Sequence, residues 1–282
     1  MAIIVKDLSY TYQPHTVFAR EALKHVSLTV NNGEFVGILG ASGSGKSTLM
    51  QHINGVIPSR DRVTVNGLTL GGSGVNRRDV VANAAMAFQY PEHQLVCDTV
   101  EEELSFGCRN LGYGEEKTTD LVAQYARAFG LPPHFFPRSP FQLSGGEKRR
   151  VALASIFAMD TPILLLDEPT VGLDLQGKAD FLKVMTHLQK EGAKTVIWIG
   201  HDIEEIAKVA TRLVVMEAGS ILLDGDTEAV LGEEDTLLTC GILPPRRCSL
   251  EKTLRELYGA ALNEDAGQKI LGFLAGEAGD VR

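Results

Sequence analysis

Nine consecutive residues, Gly40-Ala41-Ser42-Gly43-Ser44-Gly45-Lys46-Ser47-Thr48, leave this chain little freedom in how it folds. They fit G-x-x-x-x-G-K-[ST], a loop whose backbone N–H groups cradle phosphates. Residues 35–39, Phe-Val-Gly-Ile-Leu, form an apolar run before the loop of the kind buried on both faces of a sheet. Residues 48–53 read as a helix after it. Strand, glycine-rich loop and helix are the setting the motif requires. The glycines let the backbone approach an anion, and the helix points its positive end at the same place. Lys46 is expected to reach the β- and γ-phosphates of a nucleotide, and Ser47 to ligate Mg²⁺ through its hydroxyl. The glycine spacing is wrong for a dinucleotide-binding loop.

The 282 residues give room for one large or two modest domains. A hydrophobic content of 44 % and a charged content of 22 % are those of an ordinary globular chain. The net charge of −9 argues against a nucleic-acid partner held by bulk positive charge. No apolar run is long enough to span a bilayer. Lys6 and Asp7 interrupt the N-terminus where a signal peptide continues its apolar stretch. The expected location is cytoplasmic unless a partner holds the chain at a membrane. Cys97, Cys108, Cys240 and Cys248 are scattered without a CxxC pair and read as free thiols.

Strands are expected at 3–5, 26–30, 63–67 and 84–89, with a glycine-rich loop at 71–74. From 99 to 159 the pattern turns helical, broken by Pro132-Pro133 and by Pro137 and Pro140. This block, about 95–160, is expected to be an inserted helical subdomain. Apolar strands at 163–166 and 195–199 flank a helix at 179–191, and 213–216 with 220–224 read as a hairpin around 217–219. Strands alternating with helices imply a mostly parallel sheet and an α/β fold, with an antiparallel N-terminal part. Beyond Cys240 the pattern changes, and 250–261 and 268–275 read as short helices. The expected division is thus 1–240 and a helical extension at 241–282.

The run Ile163-Leu164-Leu165-Leu166-Asp167-Glu168 places two carboxylates at the end of a buried strand, where ligands bind in α/β sheets. Asp167 is expected to hold Mg²⁺, directly or through water, and Glu168 to orient and activate an attacking water. Ser144, followed three residues later by Glu147, is a capping box opening a helix at 148–159. Gly145 and Gly146 at that helix start let an anion approach the backbone. One nucleotide does not need two such sites on one chain, whereas a second copy supplying its site across an interface accounts for both.

In this order the motifs resemble those of the ABC-type ATPase subunits, over roughly residues 3–231. Gly40 to Thr48 resembles Walker A, Gln89 the Q-loop, Leu143 to Glu147 the signature and Leu164 to Glu168 Walker B. Val171-Gly172-Leu173-Asp174 resembles the D-loop, His201 the switch histidine and Tyr12 the aromatic that stacks on adenine. The resemblance implies ATP as substrate and Mg²⁺ as cofactor, the latter held by Ser47, Asp167 and Gln89. It implies catalytic roles for Lys46, Glu168 as general base and His201 at the γ-phosphate. It also implies a head-to-tail pair of ATPase subunits, with Ser144, Gly145, Gly146 and Glu147 acting on the partner's ATP. Glu147 stands where the family often has Gln, and Gly200 where it has Ser or Thr.

Residues 88–95, 99–107 and 141–152 are similar to the ATPases of energy-coupling factor (ECF) transporters. That resemblance implies a transmembrane coupling protein, a small membrane protein that captures a vitamin or a transition-metal ion, and a place on the cytoplasmic face of the cell membrane. Glu101, Glu102 and Glu103 suit a helix start, and some of them are candidates to meet arginines of the membrane partner. A conventional ABC importer shares all of this chemistry with a different membrane partner. A soluble ABC protein of translation or DNA repair is the alternative of another class. Such proteins usually carry two cassettes or a long coiled coil, and this chain has neither.

Overall fold

The computed structural model describes residues 1–72 and 74–245, and the helices expected at 250–261 and 268–275, with Cys248, lie outside the described residues. The chain runs β1 (Ile3–Tyr12), β2 (Arg20–Val30), β3 (Phe35–Leu39), α1 (Lys46–Ile53), β4 (Val63–Val65), β5 (Leu68–Leu70), α2 (Arg77–Asn83) and β6 (Ala84–Ala87). It continues through α3 (Val100–Leu111), α4 (Glu115–Ala128), α5 (Gly145–Ala158), β7 (Ile163–Asp167), α6 (Leu175–Glu191), β8 (Thr195–Ile199) and α7 (Ile203–Ala207). A hairpin of β9 (Arg212–Glu217) and β10 (Ser220–Asp226) and two short helices, α8 (Thr227–Leu231) and α9 (Glu234–Thr239), complete it.

Two sheets result. A six-stranded sheet has the order β10-β9-β3-β8-β7-β6, parallel except for the edge strand β10. A four-stranded antiparallel sheet has the order β2-β1-β4-β5. The central strands are apolar throughout because both faces are covered. Side chains alternate along a strand, so Leu164, Leu166, Val196, Trp198, Leu213 and Val215 face one core. Their neighbours Ile163, Leu165, Ile197, Ile199, Val214 and Met216 face a second core. The first core is closed by α3 to α7. The second is closed by α1 and the antiparallel sheet through Leu49, Met50, Ile53, Ile3 and Val63. The helix behind the phosphate loop is therefore clamped between two sheets.

The helical block expected at 95–160 consists of α3, α4 and α5, with two short 3₁₀ turns at the prolines between α4 and α5. A ladder of aromatic edge contacts ties it to the parallel sheet. Phe129 meets Phe157 at 5.1 Å, Phe157 meets Phe181 of α6 at 6.3 Å, and Phe181 meets Trp198 of β8 at 5.2 Å. Capping boxes at Asn76/Asp79, Thr99/Glu102 and Ser144/Glu147 begin α2, α3 and α5.

Several boundaries differ from the sequence expectation. β1 and β2 run on to Tyr12 and back to Arg20, because three register shifts let pairing continue where the apolar alternation is lost. The strand expected at 63–67 is a hairpin, β4–β5, turned by Asn66-Gly67. α5 begins at Gly145 and not at 148, directly after its cap. α2 has only Val80 buried, so it carried no periodic signal.

His52, on the sheet-facing side of α1, is 1 % exposed. Its ring meets Tyr10 edge-on at 4.8 Å, and burial pushes its pKa from 6.5 down to about 4. The unfolded chain takes up a proton below pH 6.5 that the folded chain refuses until about pH 4. Stability is complete above pH 6.5 and falls by up to about 3 kcal/mol toward pH 4. His52→Phe keeps the edge contact and should flatten that decline in urea titrations at stepwise pH. An unchanged decline would place the acid sensitivity elsewhere.

Candidate active site at the carboxyl ends of the parallel strands

Four neighbouring parallel strands, β3, β8, β7 and β6, end side by side, and each delivers one part of the site. β3 leads into the phosphate loop, β8 into Gly200-His201, β7 ends in Asp167 before Glu168, and β6 leads to Gln89. Asp167 pairs with Ile199, and Ile199 with Ile38, so the ends are level. Sheet order thus gathers residues lying up to 161 positions apart, from Gly40 to His201.

The loop needs its glycines. Gly45 begins α1 at φ +106°, and a β-carbon there would lie 2.6 Å from the carbonyl oxygen of Ala22. Gly43 has φ +80°, and a β-carbon on it would lie 2.6 Å from Arg20 Nη2. Arg20 is thereby a cation at the lip of the loop that the sequence reading missed. No stretch of sequence marks it, because only the folded β1–β2 register sets Arg20 opposite Tyr12.

Lys46 is buried, and its Nζ donates to the carbonyl oxygens of Gly40 at 2.7 Å and Ala41 at 2.9 Å. Burial lowers its pKa, and the carboxylates of Asp167 and Glu168 counter part of that. Asp167 is also buried, and burial is the main cause raising its pKa. The Ser47 hydroxyl hydrogen-bonds to it and opposes the rise, while the charge of Glu168 adds to it. A hydroxyl and a strained carboxylate held together are hard oxygen donors, so Ser47 and Asp167 fit a divalent cation such as Mg²⁺.

Glu168 is held from four sides. Its φ is +51°, a left-handed conformation that is unusual for a non-glycine residue. Its N–H donates to Ile199 O at 2.8 Å. Its Oε2 accepts from Gln89 Nε2 at 3.0 Å, and its Oε1 lies 2.6 Å from His201 Nε2. The carboxylate is thus aimed by an amide and an imidazole, and its side chain is mostly shielded. Its backbone carbonyl accepts from Arg149 of α5 at 2.7 Å. Arg149 was also missed, because a basic residue in a helix gives no sign of burial.

Tyr12 is partly exposed, with its hydroxyl 3.2 Å from Thr48 Oγ1 at the start of α1 and its ring edge-on to Tyr10. Ser42 lies exposed and Ser44 buried within the loop. Ser144, Gly145, Gly146 and Glu147 form a separate unit, the capped start of α5, with Glu147 Oε2 accepting from the Ser144 N–H at 2.8 Å. Asp174 caps α6 by accepting from the Gly177 N–H at 2.7 Å.

One expectation needs correction. Glu103 is 6 % exposed, and its carboxylate accepts the N–H groups of Val96 and Cys97 at 2.8 and 2.9 Å. It pins the segment after Gln89, and its carboxylate is taken up inside the chain. Glu101 and Glu102 are both exposed, and Glu102 also closes the cap of α3.

A family model described as ABC transporter matches residues 23–171. The energy-coupling factor transporter ATP-binding protein EcfA2 of Clostridium acetobutylicum is 41 % identical over 258 residues, covering 91 % of this chain and 90 % of that protein. The protein of the same name from Symbiobacterium thermophilum is 40 % identical over 288 aligned positions spanning both chains completely. Among solved structures, cbiO1 of Clostridium perfringens, part of the ABC transporter complex cbiONQ, is similar with TM-score 0.71 and 30 % identity, over 89 % of this chain and 98 % of that one. A dimeric ATP-binding cassette in a post-hydrolysis state with ADP and Pi is similar with TM-score 0.70 and 26 % identity, over 80 % and 98 %. Among the described residues, no helix is long and apolar enough to cross a membrane.

Because its carboxylate is strained by burial, Asp167→Asn should raise the melting temperature of the chain without nucleotide. The sign of the change follows from burial, the largest cause acting on this carboxylate. The same variant should lose the further stabilisation that Mg²⁺ and ATP together give wild type. Thermal unfolding with and without both reads the two effects, and a lower melting temperature without ligand would show that the carboxylate is not strained.

Proposed function

This chain belongs to the ABC transporter family as an ATP-hydrolysing subunit coupled to transport, and on that premise we propose that it drives an ECF-type importer for a vitamin or a transition-metal ion through a transmembrane coupling protein. The observation that carries the catalytic part is the chain Gln89–Glu168–His201 beside a complete phosphate loop. The transport part is supported by similarity to EcfA2 proteins over nearly the whole chain.

In this reading the loop N–H groups from Gly40 to Thr48 and the α1 dipole hold the phosphates of ATP. Lys46 exchanges its carbonyl partners for the β- and γ-phosphate oxygens. Tyr12 stacks on the adenine. Ser47, Asp167 and Gln89 would hold Mg²⁺, which supplies charge neutralisation at the phosphate oxygens when bound. Glu168 accepts a proton from water as the water oxygen bonds to the γ-phosphorus. The bond between that phosphorus and the β–γ bridging oxygen breaks, and ADP departs with the electron pair. His201 keeps the carboxylate aimed and contacts the γ-phosphate. A second ATPase subunit closes the site with its own Ser144 to Glu147 helix start, and Asp174 lies at the same interface. The pair sits on the cytoplasmic face of the cell membrane, without a nucleic-acid partner.

Glu168→Gln should lower ATP turnover by about 10²–10⁴-fold with nucleotide still bound, and trap a closed dimer. Lys46→Ala should lower turnover by at least about 10²-fold and also weaken binding. Phosphate release and equilibrium binding of a labelled nucleotide check both, and wild-type turnover by Glu168→Gln would end the base assignment. For the partner, the tagged chain drawn from gently solubilised membranes should bring a coupling protein and a small hydrophobic protein. A pair of large permeases with a soluble solute-binding protein would replace the ECF reading with a conventional importer. Glu101→Lys, at the exposed acid that takes no part in the cap of α3, should weaken that co-purification while leaving nucleotide binding intact.

A further inference from the structure

Arg149 is among the most deeply buried charges described, at 2 % exposure, and every arm of its guanidinium has a partner. Nη2 donates to the carbonyl oxygens of Glu168 at 2.7 Å and Gln89 at 3.0 Å. Nε donates to Pro169 O at 3.3 Å, and Nη1 to the Glu92 carboxylate at 3.2 Å. A buried charge is tolerated only when it is paired and its donors are used, which this one satisfies. The partners are not a random set. Two flank the bond after the left-handed Glu168, and the other two belong to the Gln89–Glu92 segment. Arg149 itself lies five residues after Ser144, on the helix whose start is offered to the partner's nucleotide.

We propose that Arg149 is a positioning residue for hydrolysis, holding Glu168 and Gln89 in register with α5, so that a displacement of the helix start of one subunit moves the general base of that same subunit. The proposal rests on the reading of Glu168 as the base. A planar five-donor fork is required, since three carbonyls and a carboxylate surround it in different directions. An ammonium keeps the charge but not the directions. Through this side chain, the surface a subunit presents to its partner's ATP and the carboxylate acting on its own ATP are parts of one rigid piece.

The test uses the full chain in its assembled complex, with Arg149→Lys made in the wild-type and Glu168→Gln backgrounds and ATP hydrolysis followed at steady state and in single turnovers. In the wild-type background kcat should fall roughly 10–100-fold, with KM for ATP changed less than about threefold, the signature of lost orientation. In the Glu168→Gln background the residual rate should drop less than about twofold, because the group being positioned is already gone. An equal drop in both backgrounds, or a wild-type kcat in Arg149→Lys while Glu168→Gln stays slow, overturns the proposal. Wild-type hydrolysis by Glu168→Gln removes the base assignment and this inference with it. Should Arg149→Lys not fold, Glu92→Gln frees the guanidinium from its partly exposed side. It should lower kcat by roughly 3–10-fold at unchanged KM, and a wild-type kcat there also overturns the proposal.

Discussion

Charge buried at the ends of parallel strands is the constraint on which this structure depends. Lys46 and Asp167 are both nearly inaccessible, and Glu168 is mostly so. Burial makes the charges of Lys46 and Asp167 more costly there than in water, and each partly offsets the cost of the other. The parallel sheet supplies the geometry. Strand ends about 4.8 Å apart give a row of attachment points fine enough to set an amide and an imidazole on one carboxylate, with a lysine and a second carboxylate beside them. The two cores on either side of the sheet hold that row still.

Around the row, helix starts do the rest. α1 is clamped between two sheets, so its N-terminal dipole and the loop N–H groups point at a fixed place. α5 begins with a second glycine-bearing start, and its cap consumes the Ser144 N–H and hydroxyl locally. The aromatic ladder from Phe129 through Phe157 and Phe181 to Trp198 binds the helical block to the sheet. Arg149 and Glu103 are the polar counterparts of that ladder. One fastens α5 to the strand ends, and the other fastens α3 to the segment that follows Gln89. Both are charged groups serving backbone atoms, which is why neither is free to meet a ligand.

Much of the molecule was legible from residue order. Short apolar runs such as 163–166 and 195–199 read as strands buried on both faces, and the structure has them as β7 and β8. The phosphate loop, the Asp167-Glu168 pair and the Ser144/Glu147 cap are contiguous, so their chemistry is visible without coordinates. What failed was of a different kind. The hairpin β1–β2 outran its apolar pattern because bulges break alternation while hydrogen bonding continues. α2 was invisible because a helix with one buried residue has no period to detect. Glu103 resembled its two exposed neighbours because sequence does not record which way a carboxylate turns.

The sequence by itself determined the kind of chemistry and the kind of sheet, since glycines at fixed spacing and apolar runs of fixed length act locally. Only the tertiary structure decided which distant groups meet. Strand order, and not sequence separation, set Gln89 and His201 on the two oxygens of one carboxylate. Helix packing turned Arg149 inward onto the backbone of Glu168, Pro169 and Gln89. Those contacts follow from how layers stack, and stacking is a property of the whole chain's burial that no single stretch of residues contains.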